Sequence, residues 1–117
     1  MSGHREEIFG DKPWPDHYIF VPAQRVGNTI CHSGTTVIGD DSVLPVPDNI
    51  ETQTRQIFRK FDRLLRAAGG GCENIVATTD FFITTESHNR TGNVRGEFLK
   101  GTRPTTTGVT SVLRRAA

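Results

Sequence analysis

Residues 25–34 read Arg-Val-Gly-Asn-Thr-Ile-Cys-His-Ser-Gly, placing a thiol, an imidazole and a hydroxyl side by side ahead of a glycine. Ser33 would serve as a nucleophile only with a base in reach and a strained Gly-x-Ser-x-Gly turn to expose its oxygen. That turn is absent, so Ser33 is read as a group that binds through its hydroxyl or its backbone N–H. His32 neighbours Ser33 on a strand, and the two side chains oppose each other. If Ser33 faces a cleft, His32 faces a helix layer or a neighbouring subunit, a structural histidine before a proton carrier. Gly34 permits an unusual backbone conformation or a close approach by a ligand. His4, His17 and His88 are scattered without ligand spacing, and no metal site is expected. Cys31 and Cys72 show no motif spacing and read as two reduced thiols rather than a disulfide.

Other charged residues have quieter readings. Arg55, Arg59, Arg63 and Arg66 recur at helical spacing, which marks a solvated face. The alternative is an RNA-contacting ridge. A net charge of +1 and the lack of interleaved aromatic residues argue against nucleic acid as a partner. Asp80 falls in an apolar strand, where a carboxylate must be paired or hydrogen-bonded, and is assigned a structural role at a subunit interface. Arg25, beside the Gly27-Asn28 turn, reads as a solvent arginine before an anion site. The chain has no apolar run long enough for a membrane span and no signal-peptide pattern, so a cytoplasmic protein without a membrane partner is expected.

These residues need elements to hold them. The 117 residues suffice for one small domain, 1–117. Residues 1–16 form an irregular N-terminal arm, pinned by Phe9 and Trp14. A first strand is predicted over 17–21, stopped by Pro22, and a second over 28–33; the Gly27-Asn28 signal favours a hairpin. Residues 39–48 form a loop with an edge strand near Val43, since two prolines bar a central one. Asp48 caps a helix, with Glu51 at the capping-box position. Ile50, Ile57, Phe58, Phe61, Leu64, Leu65 and Ala68 make one apolar stripe, and Gly69 to Gly71 end the helix. A central strand over 74–83 is apolar on both faces, so both are covered. A weaker helix over 88–99 turns Val94, Phe98 and Leu99 inward, and a last strand spans 105–113. Two helices cover one sheet face. The other face requires a second layer that so short a chain does not supply, which argues for oligomerisation.

The run 25–34, the helix segment 51–69 (ETQTRQIFRKFDRLLRAAG) and the strand segment 71–84 (GCENIVATTDFFIT) recur in this order. Together they resemble the YjgF/Rid family, the reactive intermediate deaminases, across residues 18–113. The resemblance implies an α+β fold, the chorismate-mutase-like sandwich: a mixed β-sheet with two helices on one face, three copies forming a trimeric barrel. It implies a homotrimer with clefts between neighbouring subunits. There, enamines and imines released by pyridoxal-phosphate enzymes are hydrolysed to a 2-oxo acid and ammonia. No cofactor is implied.

The resemblance also implies a site. Phe20 stands where the family has a tyrosine, keeping the ring and losing the hydroxyl. Ser33 and Gly34 match the Ser-Gly turn, and Asn93 is the counterpart of an asparagine on the second helix. The family's carboxylate-holding arginine lies in Pro-Ala-Arg before the last long strand. Here the text is Thr-Arg-Pro-Thr-Thr-Thr, and alignment on Leu113 puts Thr105 at the arginine position, two residues after Arg103. Arg103 is the candidate if the loop shifts, because a planar guanidinium meets both carboxylate oxygens; the plainer reading is a loop arginine in solvent. Thr107 would supply the backbone carbonyl that orients water. The family's glutamate on a final Leu-Ile-Glu-Ile strand has no counterpart before Ala117. Two readings therefore stand open: a deaminase of a small carboxylated enamine, imine or amino-dienoate, and a non-catalytic metabolite-binding or regulatory protein of the same fold.

Overall fold

A computed structural model of the chain describes residues 4–10, 14–35, 49–82 and 88–110. Its elements run in the order β1 (Arg5–Ile8), β2 (Ala23–Val26), β3 (Thr29–His32), α1 (Ile50–Ala67), β4 (Ala77–Phe82), α2 (Gly92–Leu99) and β5 (Thr105–Thr110). Short 3-10 turns at Cys72–Asn74 and His88–Thr91 precede β4 and α2. Among the described residues the strands form an antiparallel sheet, β1-β2-β3, and a parallel pair, β4-β5. With two helices, this is the α+β architecture expected. The edge strand near Val43 lies outside the described residues, as does the cap residue Asp48.

The hairpin turn predicted at Gly27-Asn28 is present, but its first arm is β2, Ala23–Val26, and not residues 17–21. Val26 pairs with Thr29 across Gly27-Asn28, and Ala23 pairs with His32; Gly27 takes φ +61°, which the tight turn requires of it. Two expectations nearer the N-terminus are corrected. The arm contains β1, antiparallel to β2 with Ile8 opposite Ala23. Its Arg-Glu-Glu text is that of an exposed edge strand, and only Ile8 turns inward. Residues 17–21, read as a strand, are not one. Proline at 15 and 22 brackets the segment, Tyr18 N–H bonds back to the Pro15 carbonyl at 3.1 Å, and the rings collect locally. Trp14 meets Tyr18 and Phe20 edge-on at 5.5 and 5.3 Å.

Helix α1 is the hub. Its cap is Asn49, one residue later than predicted, whose Oδ1 accepts the Thr52 N–H at 2.8 Å. One flank packs Leu64 and Ala68 against Ile8, Ala23 and Ile30 of the antiparallel sheet. The other packs Phe58, Phe61 and Leu65 against Cys72, Ile75, Phe98 and Leu99. The polar flank is stitched to the second helical segment by Arg55–Glu97 at 2.9 Å and Arg90–Glu51 at 2.5 Å. At the C-terminal end Gly69, at φ +93°, lets Gly70 N–H reach back to the Leu65 carbonyl at 2.8 Å. Arg25 of β2 donates to the Ala68 carbonyl and pairs with Glu6 at 3.2 Å, tying β1 and β2 to the helix end.

The β4-β5 pair has two unlike faces. Register places Thr79 beside Thr107, Asp80 beside Gly108 and Phe81 beside Val109. The Asp80 face meets α2. The opposite face, with Ala77, Thr79, Phe81, Thr105, Thr107 and Val109, is exposed. Phe81 is 72% exposed there. The central strand predicted over 74–83 is thus shorter, beginning at Ala77 after a 3-10 turn.

Candidate functional site

Ser33 is held at the end of β3 by two bonds to the segment before β2. Its N–H donates to the Pro22 carbonyl at 2.8 Å and its hydroxyl to the Val21 carbonyl at 2.6 Å. A hydroxyl has one proton, and this one is spent on a neutral carbonyl. Nothing there would draw it toward nucleophilic chemistry. The same bonds tie the Ser-Gly turn to the two residues that follow Phe20, whose exposed ring packs with Trp14 and Tyr18. Gly34 is absent from the positive-φ residues, and a Cβ there would meet nothing within 4 Å. The unusual-backbone reading of Gly34 therefore falls, and its Cβ position opens onto empty space.

His32 turns away from the turn it precedes. Its ring meets Phe61 of α1 edge-on at 4.5 Å, and Nδ1 lies 2.6 Å from the Ser33 carbonyl. Donation from Nδ1 makes Nε2 the acceptor, a buried atom with no hydrogen-bond partner among the described residues. Burial holds this imidazole below its usual 6.5, against the opposing pull of the Ser33 carbonyl. It is a structural histidine in the helix layer.

The remaining predicted residues are a group in chain order only, spread over α2, the link that follows it and β5. Asn93 is exposed on α2, between Gly92 and the buried Val94. Arg103 is exposed in the link from α2 to β5, and no ion pair holds it among the described residues. Thr107 lies on the open face of β5. No hydrogen bond or ion pair among the described residues joins this group to the Ser33 turn.

Sequence reasoning missed Arg95. Its guanidinium pairs with Asp80 at 3.0 Å, donates to Thr91 at 3.0 Å and stands 5.5 Å from the centre of the Phe58 ring. Asp80 thus finds within its own chain the partner that was expected at a subunit interface. Arg95 follows Val94 in a weakly amphipathic helix, and the only signal for it was Asp80's need of a cation. Two members of the arginine row are likewise engaged, Arg55 with Glu97 and Arg66 with Asp62 and Glu73. Cys72 is buried and Cys31 exposed, both as free thiols. Among the described residues no cluster of three or more His, Cys, Asp or Glu could hold a metal ion, and no helix is long and apolar enough to cross a membrane.

The described elements define an α+β domain in which one face of the parallel pair is exposed. Residues 15–113 match the family model described as Endoribonuclease L-PSP. The chain belongs to that family, also known as YjgF/YER057c/UK114, in agreement with the resemblance read from its motifs. Among solved structures it is similar to YyfA of Yersinia pestis, described as a protein of unknown function of the conserved Rid family. The two are 26% identical with TM-score 0.77, over 92% of this chain and 86% of that one. A Mycobacterium tuberculosis member of the YjgF/YER057c/UK114 family is 23% identical with TM-score 0.74, over 97% and 89% of the two chains. A Pseudomonas aeruginosa protein of unknown function is 23% identical with TM-score 0.78, over 95% and 82%.

Proposed function

We propose that this chain hydrolyses small carboxylated enamines, imines or amino-dienoates to an oxo acid and ammonia, in clefts between the subunits of a homotrimer. The observation that carries the proposal is the exposed sheet face that bears Thr107, where Phe81 is 72% exposed. Arg103 and Asn93 are exposed on the link and helix before β5, and no hydrogen bond or ion pair among the described residues joins them to Phe20, Ser33 or Gly34. A second copy on that face would bury its apolar side chains and complete a site from two partial ones.

Each residue has a definable task. Arg103 holds the substrate carboxylate with its planar fork. With both protons of Ser33 already bonded, Gly34 supplies an N–H that no described residue accepts, and the Ser33 oxygen keeps lone pairs to accept. Asn93 bonds the nitrogen that leaves. The Thr107 carbonyl accepts a proton of the attacking water and aims its oxygen at the iminium carbon. An enamine first takes a proton from water at carbon to give C=NH2+; water adds to it, a proton passes from oxygen to nitrogen, the C–N bond breaks as the hydroxyl oxygen forms the carbonyl, and the hydroxyl proton leaves with ammonia as ammonium. Phe20, with Trp14 and Tyr18 packed beside it, offers a ring wall in place of a phenol. That composition favours substrates larger than 2-aminoacrylate, of the aminomuconate type among others.

The test is ammonia release from imines generated in place by an amino-acid oxidase. The expected result is a rate above the uncatalysed background that falls at least tenfold in Arg103→Ala, as loss of a charged anchor requires. No rate above background, together with calorimetric binding of a 2-oxo acid, would replace catalysis with metabolite binding on the same surface. That second reading is favoured by the acids of β4 and α2, Asp80 and Glu97, each already paired with an arginine. The ion pairs of Arg55 and Arg66 weigh against an RNA-contacting ridge.

A further inference from the structure

A line of side-chain hydrogen bonds runs from α2 to β5 along the Asp80 face of the parallel pair, ending at the exposed Thr106. At its start the Arg95 guanidinium donates to Thr91 at 3.0 Å and to Asp80 Oδ2 at 3.0 Å. The two charged side chains are only 15% and 21% exposed, so solvent screens them little. The same carboxylate oxygen lies 3.4 Å from the Thr78 hydroxyl, which lies 3.2 Å from the Thr106 hydroxyl. An ionised carboxylate can only accept, and a hydroxyl carries one proton. Thr78 therefore donates to Asp80 and accepts from Thr106. Apart from the Arg95–Thr91 bond, every donor in the line then points toward the carboxylate.

The line resolves an ambiguity in β5. Thr105, Thr106 and Thr107 are identical, so a one-residue slip of this strand would leave much of its side-chain pattern unchanged while exchanging its faces. Register places Thr106 beside Thr78 and Gly108 beside Asp80. Gly108 brings no side chain to compete with Arg95 for the carboxylate. A slip would set Thr107 or Val109 there instead.

We infer that Thr78, Asp80 and Arg95 are positioning residues that lock segment 105–107 of β5 to α2 and fix which threonine faces outward. The consequence for catalysis rests on the deaminase reading, since Thr107 and Asn93 lie on the two elements so joined.

Amide hydrogen exchange on Thr106→Val and Thr106→Ser tests this. Valine suits a strand at least as well as serine, so β-propensity alone predicts that the serine variant opens more readily. The hydrogen-bonded line predicts the reverse. Exchange at Thr107 and Gly108 is expected to be about tenfold faster in Thr106→Val, the scale of one lost hydrogen bond. It should stay near wild type in Thr106→Ser, with Ile30 and Cys31 of β3 unaffected in both. Equal exchange in the two variants, or faster exchange in the serine variant, overturns the inference, as does a matching rise in β3. If Thr106→Val does not fold, Thr78→Val cuts the same link from β4 and is judged by the same criteria. In an active enzyme, kcat should fall in the valine variant with KM little changed, and an unchanged kcat overturns the positioning role. A wild type that releases no ammonia sinks the deaminase reading alone, and exchange still decides the lock.

Discussion

Cys72 and His32 show how burial sets chemistry in single side chains. The Cys72 thiol is pushed up to about 12 by burial and by the neighbouring Asp62 carboxylate. Almost no thiolate exists at neutral pH, so iodoacetamide should alkylate Cys31 in the native protein and leave Cys72 untouched until unfolding. Modification of Cys72 before Cys31, read by mass spectrometry, would contradict this. His32 binds its proton less well folded than unfolded, so the unfolded chain takes up more protons as the pH falls. Its stability contribution is intact above about 6.5 and declines as pH drops through the lower folded value. Denaturation midpoints at pH 7.5 and 5.0 should differ more in wild type than in His32→Gln; equal differences would count against the assignment. The orientation of His32 was legible from strand alternation. The fate of Ser33 was not, because the carbonyls of Val21 and Pro22 reach it through backbone geometry, which carries no residue signature.

Among the elements, α1 was the most legible, since its apolar stripe repeats over 18 residues and both flanks are filled as the spacing requires. Phe58 belongs to the second core cluster and is 3% exposed, stacked on Phe98 at 5.6 Å and edge-on to Phe61 at 5.9 Å. Phe58→Ala should cost about 3–5 kcal/mol in urea denaturation. A loss below about 1 kcal/mol would mean that the interface between the helices is not a packed core. The strands were harder. β1 was hidden because an edge strand needs just one apolar residue to dock, and Ile8 sits in a charged run. Residues 17–21 misled for the opposite reason: aromatic, β-favouring side chains satisfied one another in a proline-bracketed turn. Tyr18 and Phe20 stack at 6.3 Å without any ladder.

At the scale of the whole molecule, a face left uncovered is the dominant fact. The two-sided apolarity of the central strand led to the expectation of a second layer, and within the single chain Phe81 and Val109 stand exposed. Sedimentation should find three copies together in wild type. Phe81→Glu should release single copies with an unchanged far-ultraviolet spectrum, because a buried unpaired carboxylate opposes assembly without touching the protomer core. A wild type that sediments as one copy would remove the cleft on which the catalytic proposal depends. The placement of Arg103 was the least legible feature, since its reach depends on a loop whose proline and threonines specify backbone rather than contact.

Trp14 is the chain's single tryptophan, and it stands in the ring cluster, not in either packed core. Indole emission will therefore report on that surface turn. A chemist who followed unfolding by its light alone would be timing the loosening of a clasp while the domain behind it stayed shut.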